Sequence, residues 1–199
     1  MADKYRTFSE LAAGETRDVD FRVRFQQRGG TTLVIAPHGG GIEPGTSEIA
    51  EAIAGDNFSF YVFEGIKATD NLTLHITSTR FDEPQGMALV KASPRAISIH
   101  GEDGDQPAVF LGGRDTVLLK RIRDSLVADG FIVETHVNPL LQGTDENNIC
   151  NRCQTGCGVQ LELSNGLRGS FFKSLTRDGR QTRTQRFDRF VAAMRAAIL

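Results

Sequence analysis

A histidine and a glutamate lie on either side of a run of glycines. Residues 33–50 read "LVIAPHGGGIEPGTSEIA", so His38 directly follows an apolar stretch and Glu43 comes five residues later. Imidazole and carboxylate groups are both common ligands of divalent metal ions. Glycine accepts backbone conformations that other residues avoid, so we expect the loop at 39–41 to fold back and bring Glu43 close to His38.

Two further ionisable residues lie in other apolar segments. His100 ends "AISIH", and Glu162 lies within "GVQLELS". Ligands of open α/β sheets bind outside the carboxyl ends of the strands, so we expect His38, Glu43 and His100 to converge there. Two histidines and one glutamate are an established ligand set of catalytic zinc. Zinc lowers the pKa of a bound water molecule to roughly 7, and Glu162 is the candidate general base.

Each of these residues has a second interpretation. The glycine loop could bind phosphate, although it lacks the Lys-Ser/Thr of a P-loop and the G-x-G-x-x-G order. His100 alone could be a hydrogen-bonded core histidine. Strand alternation places Glu162 on the same face as Gln160, so it could also point outward. His75, within "LTLHITS", could orient a metal ligand from behind the site or serve only in the strand.

Six short apolar segments predict the strands of a sheet. They are rich in β-branched and aromatic residues and are bounded by glycine, proline, asparagine or aspartate. The predicted strands cover 31–37, 58–65, 72–78, 96–101, 131–137 and 158–164. Helical patterns cover 46–55, 114–130 and the last segment, from about 181 onward. Strands that alternate with helices predict an α/β fold, with a single open mixed β-sheet flanked by helices on both faces.

The length and charge of the chain exclude several classes of protein. A chain of 199 residues without a repeat or linker favours one catalytic domain over 1–199. A net charge of −2 shows no general affinity for nucleic acid. No apolar run approaches the ~20 residues that span a bilayer. The first twenty residues are too polar for a signal peptide, so we expect no membrane partner and a cytoplasmic protein.

Three cysteines lie within eight positions, at Cys150, Cys153 and Cys157. Without a secretion signal, a disulfide framework is not expected. The C-x2-C-x3-C spacing could hold a metal ion or a cluster. Such a site would need a fourth ligand from elsewhere, so ordinary thiols on a loop are the favoured interpretation.

Taken together, four segments resemble one family. "APHGGGIEPGTSEIA", "LHITSTRFDEP", "AISIHG" and "GVQLELS" are similar to segments of the phage-type poly-γ-glutamate hydrolases, from about residue 31 onward. The resemblance implies a zinc peptidase with a fold distantly related to the carboxypeptidases. It implies zinc ligands at His38, Glu43 and His100 and a general base at Glu162. The spacing from His38 to Glu43 exceeds the H-x-x-E of carboxypeptidases, so that comparison concerns the fold.

The implied substrate carries one free carboxylate per residue. Arginine binds carboxylates with two parallel hydrogen bonds, and asparagine can hold a carboxylate or an oxyanion. Arg80 follows a predicted strand, and three polar residues precede "GVQLELS". The predicted substrate-binding residues are therefore Arg80, Asn148, Asn151 and Arg152.

Two other functions remain open at this point. One is an amidohydrolase that acts on small N-acyl amino acids. The other is a non-catalytic module of the same fold that binds polyanions through the basic region 165–199, and it predicts binding that weakens steeply with salt. The size of the products separates the two enzymes, and turnover separates both from the binding module.

Overall fold

One seven-stranded sheet forms the centre of the structure, a computed structural model that describes residues 3–199. Its strands are β1 (Phe21–Gln26), β2 (Thr32–Gly40), β3 (Ser59–Gly65), β4 (Arg95–Glu102), β5 (Ala108–Gly113), β6 (Ile132–Glu134) and β7 (Val159–Ser164). The α-helices are α1 (Phe8–Gly14), α2 (Thr46–Ala54), α3 (Pro84–Ala92), α4 (Thr116–Ala128), α5 (Asn165–Ser170) and α6 (Gln185–Ile198). Short 3-10 helices cover Asn71–Leu74, Pro139–Leu141, Ile149–Arg152 and Gly179–Gln181.

The four central strands run parallel and carry the candidate residues. The strand order is β1-β3-β2-β4-β7-β5-β6, and β3, β2, β4 and β7 are parallel to one another. The outer strands β1 and β5 pair antiparallel with β3 and β7, which makes the sheet mixed. The chain forms β3 on one side of β2 and β4 on the other. A crevice therefore opens at the carboxyl ends of β2 and β4, where α/β sheets bind ligands.

Helices cover both faces of the sheet, as predicted. One apolar core lies between the sheet and α2, α4 and α6, and it contains Ile49, Leu118 and Phe190. The other lies on the face of α1 and α3 and contains Leu11 and Val90. Because the central strands are covered on both sides, all residues of β2 are buried. Such strands are apolar throughout and lack the polar alternation of a half-exposed strand.

The prediction of a strand at 72–78 is wrong. A 3-10 helix covers Asn71–Leu74, His75 is extended, and a turn follows at 78–80, so none of these residues joins the sheet. The peptide N–H of Thr77 donates to the carboxylate of Asp3 instead of to a neighbouring strand. The alternating apolar residues of this segment therefore reflect burial against the core and not membership of the sheet.

Several elements lie where no apolar segment predicted them. The edge strand β1 reads "FRVRFQ". Arginines separate its apolar residues, so it contains no continuous apolar run of the kind used to predict the strands. The strand β5 and the helices α1 and α3 are also absent from the prediction, and β6 is shorter than the predicted 131–137. Among residues 3–199, no helix has the length and apolar character that a bilayer crossing requires.

Candidate metal centre

A break in the register of β2 turns His38 toward the site. Strict alternation would place His38 on the face of Val34 and Ala36, which pack against α2 and α6. The pairing of β2 with β3 shifts between Ala36 and Gly39. An irregularity of this kind re-aims one side chain, and the ring of His38 lies beside His100 of β4.

The loop after β2 folds back over the end of its own strand. Gly40 has a φ of 67°, in the left-handed region that glycine adopts readily. The N–H of Glu43 donates to the carbonyl of His38 at 2.8 Å, and the hydroxyl of Thr46 donates to the carbonyl of Glu43 at 2.9 Å. These bonds return the carboxylate of Glu43 to the ring of His38, which is the geometry that the glycine run predicts.

The donor atoms of three predicted ligands meet at one point. Nδ1 of His38 lies 3.0 Å from Oε1 of Glu43 and 3.1 Å from Nδ1 of His100. Nδ1 of His100 lies 3.7 Å from Oε2 of Glu43. Zinc–ligand bonds of about 2.0–2.2 Å place two ligands of one ion roughly 3–4 Å apart. The separations therefore fit a single divalent cation.

The remaining polar atoms of these ligands are held by the surrounding protein. Nε2 of His38 donates to the carbonyl of Ile76 at 2.8 Å, and Nε2 of His100 lies 2.6 Å from the hydroxyl of Ser98. Oε2 of Glu43 accepts from the N–H of Gly101 at 2.8 Å. Histidines that bind metals characteristically use the second ring nitrogen in this way, which fixes the orientation of the ring.

The chemistry of the donor atoms fits a metal ion. A carbonyl oxygen only accepts, so Nε2 of His38 carries the ring proton and Nδ1 of the neutral ring carries a lone pair. This lone pair faces the carboxylate of Glu43, which is also an acceptor. Two acceptors at such a distance need a positive charge between them. One proton would satisfy one pair of atoms, whereas a divalent cation would satisfy Glu43 and both imidazoles.

Glu162 is the second carboxylate of the site. It is the direct cross-strand neighbour of His100, so both side chains point to the same face. Its Oε1 accepts from Nε2 of Gln160 at 2.8 Å, and Oε1 of Gln160 accepts from Nδ2 of Asn148 at 2.7 Å. Burial, together with the negative charge of Glu43, raises the pKa of Glu162 well above its usual range.

The other carboxylate is shifted in the opposite direction. Burial raises the pKa of Glu43, but the neighbouring imidazoles of His38 and His100 lower it by more, to well below its usual range. The site therefore combines one carboxylate that stays ionised with another that takes up a proton readily. Such a divergence between two neighbouring acids is typical of sites that perform acid–base chemistry.

His75 lies against the ring of His38. The two ring centroids are 4.0 Å apart, and Nε2 of His75 lies 4.0 Å from Oε1 of Glu43. Donor atoms of His38, Glu43 and His75 all lie within 4.8 Å of one another, as the ligands of one ion would. By distance His100 is the better third ligand, because its Nδ1 is closer to Glu43.

A carboxylate that sequence analysis missed holds His75 in place. Oδ1 of Asp3 accepts from Nδ1 of His75 at 2.7 Å, and the side chain of Asp3 is only 5% exposed. The two residues are separated by 72 positions along the chain. No motif surrounds Asp3, so only the three-dimensional structure reveals this contact.

A cavity of about 520 Å³ opens beside these residues. Glu43, His75 and Asp3 form part of its wall together with Arg168, which sequence analysis had counted only as part of a basic region. The buried guanidinium of Arg168 donates to the carbonyls of Leu163, Pro44 and Glu102 at 2.7–3.0 Å. Arg168 therefore ties together the ends of β4 and β7 and the loop that carries Glu43.

The four predicted substrate-binding residues lie in several places. Asn148 contacts Gln160 behind Glu162. Nδ2 of Asn151 donates to loop carbonyls, and Oδ1 of Asn151 accepts from a backbone N–H. Arg80 and Arg152 line a different depression. These contacts favour structural roles, and substrate binding by these residues stays a prediction.

The cysteines do not form a second metal centre in the described part of the chain. Cys150 and Cys153 are buried, Cys157 is half-buried, and all three are free. Within residues 3–199, no set of three potential ligands that includes a cysteine brings its donor atoms together. Burial raises the pKa of Cys150 above its usual range, which disfavours the thiolate form that metals bind. The thiols of residues 3–199 are accordingly interpreted as ordinary ones.

Fold and site together define a class of protein. The sheet places two imidazoles and a carboxylate at a topological switch point, with a buried glutamate on the next strand and an open cavity beside them. This combination is typical of α/β hydrolytic enzymes that use a divalent metal ion.

Comparisons with known sequences identify the family. The model of the poly-gamma-glutamate hydrolase family matches residues 5–193. The SPbeta prophage-derived protein YoqZ of Bacillus subtilis is 39% identical over 97% of this chain and 70% of its own length. YndL of the same organism is 37% identical over 96% of this chain and 76% of its own length. The chain belongs to the poly-γ-glutamate hydrolase family, as the sequence motifs predicted.

Solved structures agree with this assignment. A bacteriophage poly-γ-glutamate hydrolase matches with a TM-score of 0.96 and 32% identity, over 99% of this chain and 97% of the phage protein. A zinc-free apo structure of YndL matches with a TM-score of 0.92, over 99% of this chain and 98% of YndL. A Burkholderia mallei protein provisionally assigned as a carboxypeptidase covers 88% of this chain and 58% of its own, with 15% identity and a TM-score of 0.50. This last similarity concerns the fold alone, and it confirms the expected carboxypeptidase-like fold.

Proposed function

We propose that this chain is a zinc-dependent hydrolase of γ-glutamyl amide bonds and that poly-γ-glutamate is its substrate. The observation that carries the proposal is the meeting of His38, His100 and Glu43, with donor atoms 3.0–3.7 Å apart, beside the buried Glu162. Membership of the family supports the substrate, and the zinc-free form of the relative YndL supports zinc as the metal. These residues lie on strands of one sheet or on the loop that follows β2, so a single domain is sufficient for the proposed catalysis.

Three side chains would hold the ion: His38 and His100 through Nδ1, and Glu43 through its carboxylate. When bound, zinc supplies Lewis acidity toward the scissile carbonyl and lowers the pKa of coordinated water. The protein keeps the two imidazoles in place through the carbonyl of Ile76 and the hydroxyl of Ser98. Little reorganisation of these side chains is then needed during the reaction.

Glu162 moves the proton in this proposal. Its carboxylate takes a proton from the attacking water and delivers it to the leaving nitrogen, so the C–N bond breaks without release of an amide anion. The carboxyl group of Glu162 holds the proton between the two halves of this transfer. Gln160 bonds one carboxylate oxygen and thereby orients the other toward the reaction.

Arg168 provides positive charge at the wall of the cavity. Three of its five N–H groups bond to carbonyls of the protein, which leaves two for a ligand. A γ-glutamyl chain presents a carboxylate on each residue, and arginine suits such a group better than lysine does. We propose that Arg168, more than the predicted Arg80, faces the carboxylates of the substrate.

The decisive variant is Glu162→Gln. It should keep about one zinc ion per chain and lose about 10²–10⁴-fold in turnover of poly-γ-glutamate, which is the usual range for a general base. Zinc content by elemental analysis and release of γ-glutamyl products measure the two effects separately. A chelator should abolish the activity of the unmodified protein, and added zinc should restore it.

Glu134→Gln is the matched control, because Glu134 lies on the outermost strand, β6, with its side chain exposed. It should retain nearly full activity. Full activity of Glu162→Gln would overturn the role of that residue. Salt-sensitive binding of the polymer without any turnover would favour the polyanion-binding module, and turnover of small N-acyl amino acids alone would favour the other amidohydrolase.

A further inference from the structure

Asp3 and His75 form a hydrogen-bonded, partly buried pair that the proposed reaction leaves without a role. Both residues line the cavity beside Glu43. The carboxylate of Asp3 is 5% exposed, and the ring of His75 is 28% exposed. A carboxylate behind a histidine on the wall of a catalytic cavity calls for a functional explanation, since removing its charge from water has a cost.

The carboxylate of Asp3 is itself firmly oriented. Its Oδ2 accepts from the N–H of Thr77 at 2.9 Å, from the hydroxyl of Thr77 at 2.7 Å and from the guanidinium of Arg80 at 2.8 Å. Oδ1 is then directed at Nδ1 of His75, at 2.7 Å. Burial raises the pKa of Asp3, but the bonds from Thr77 and His75 lower it by more, to about 2, so Asp3 is ionised at neutral pH.

These contacts determine which nitrogen of His75 carries the proton. An ionised carboxylate only accepts hydrogen bonds, so Nδ1 of His75 must be the donor. Nε2 of the neutral ring therefore carries a lone pair. This nitrogen lies 4.0 Å from Oε1 of Glu43, and both His75 and Glu43 line the cavity.

We propose that His75 binds the substrate by accepting a hydrogen bond from an amide N–H, and that Asp3 is a positioning residue that holds His75 in the tautomer able to do so. The inference rests on the proposed function for its ligand, because a γ-glutamyl chain offers one amide N–H per residue. Arg80, which the sequence predicted to bind the substrate, acts indirectly in this proposal, because its guanidinium orients the carboxylate of Asp3. A lone pair at this wall selects an N–H group over a carbonyl or carboxylate oxygen.

The test is a double-mutant cycle with Asp3→Asn and His75→Ala in the zinc-loaded protein. Each single variant should lose about 10–100-fold in kcat/KM, the scale on which misplaced substrates react poorly. Asparagine keeps an oxygen for Thr77 but presents an amide to His75, which favours the wrong tautomer. In the His75→Ala background, Asp3→Asn should then change kcat/KM by less than about 2-fold. Zinc content should stay at the level of the unmodified protein in all three variants.

A second readout needs no activity. Nitrogen-15 spectra of the imidazole rings should show Nδ1–H for His75 in the unmodified protein and a shift toward Nε2–H in Asp3→Asn. Asp82→Asn is the matched control, because Asp82 also accepts a bond from the first residues of the described chain, at the N–H of Phe8, without touching the site. Asp82→Asn should leave both the spectrum and kcat/KM unchanged.

The possible outcomes separate this inference from the proposed function. Effects that multiply in the double variant would mean that Asp3 acts only on the fold and would overturn the inference. Loss of zinc from His75→Ala would also overturn it, by making His75 a metal ligand. If no variant of this cycle is affected but Glu162→Gln is inactive, the proposed function stands and the inference falls. If the unmodified protein cleaves no γ-glutamyl bond, the tautomer spectrum still decides the role of Asp3.

Discussion

Two acidic clusters lie at the ends of central strands of the sheet, each with a buried glutamate, and the protein neutralises only one of them with its own cations. At the end of β3, Glu64 accepts from both Arg22 and Arg24, and Arg24 also bonds Glu51. The cluster therefore contains two carboxylates and two guanidinium groups. The side chain of Glu64 is 6% exposed, so these arginines supply the positive charge that water no longer can.

The metal-site cluster contains the same number of carboxylates and a different kind of partner. Glu43 and Glu162 bond to imidazoles, a backbone N–H and a glutamine. Among residues 3–199, no lysine or arginine lies within hydrogen-bond distance of either carboxylate. The comparison indicates that the missing positive charge is to be supplied by an ion. Glu64 has two arginines as partners, whereas Glu43 faces the lone pair of His38, an arrangement that a bound cation would stabilise.

The largest expected effect comes from removing a proposed metal ligand. His100→Ala should lose the bound zinc and at least about 10³-fold in turnover, equivalent to about 4 kcal/mol of transition-state stabilisation. Elemental analysis and polymer cleavage measure the two losses. His136→Ala is the matched histidine control, because His136 contacts Glu102 and a loop carbonyl away from the site. If His100→Ala still binds zinc and His75→Ala does not, the ligand set must include His75 instead.

A smaller effect is expected in the cluster that the protein neutralises itself. Glu64→Gln removes charge-assisted bonds from two half-exposed arginines and should lower the free energy of unfolding by about 1–2 kcal/mol. This corresponds to a fall of roughly 2–8 °C in Tm for a chain of this size. Zinc affinity should not change.

Glu51→Gln is the control within the same network. It also removes a carboxylate bonded to Arg24, but the side chain of Glu51 is 42% exposed, so water can replace the lost interaction. Its effect should stay below about 0.5 kcal/mol. A zinc affinity that falls with Glu64→Gln would contradict the separation between the two clusters, since it would show that the arginine network also orders the metal site.

The smallest expected effect is the pH dependence that Asp3 contributes. Its pKa is lowered in the folded state to about 2, against about 3.9 in an unfolded chain. The charged form is therefore stabilised by folding, and this contribution is full above pH ~4 and disappears as the pH falls toward ~2. The free energy of unfolding of the unmodified protein should exceed that of Asp3→Asn by about 1 kcal/mol or less at pH 6.

Urea titrations at pH 6 and pH 3 measure this difference directly. The difference between the two proteins should shrink at the lower pH, because only the unmodified protein loses a charged interaction. A difference that is equal at both values would mean that Asp3 stabilises the fold through its shape and neutral contacts, and not through its charge.

The central strands could be predicted because their burial leaves a clear signal. β2, β4 and β7 are covered on both faces, so each reads as an apolar run bounded by glycine, proline or serine. The edge strand β1 gave no such signal, since Arg22 and Arg24 alternate with apolar residues to reach Glu64. The segment 72–78 gave a false signal, because its apolar residues are buried by tertiary contacts without joining the sheet.

The candidate site was predictable where it depends on strand ends and was not where it depends on long-range contacts. His38, Glu43, His100 and Glu162 lie at or near the ends of predictable strands, so topology alone brings them together. Asp3 reaches the site across 72 residues and lies in no recognisable motif. Tertiary packing determines which polar groups surround Asp3. The residues next to it in the sequence form no pattern from which this contact could be predicted.

The contacts that form the site join segments that are far apart in the sequence. The bond between His38 and His100 spans 62 residues, and the bond from Arg168 to the carbonyl of Pro44 spans 124. Contacts between such distant segments slow folding, because the entropy cost of closing a long loop opposes them. The histidine–glutamate loop of a growing chain is therefore not yet a binding site. If zinc binds only the folded chain, as proposed, it should slow unfolding through mass action without accelerating folding.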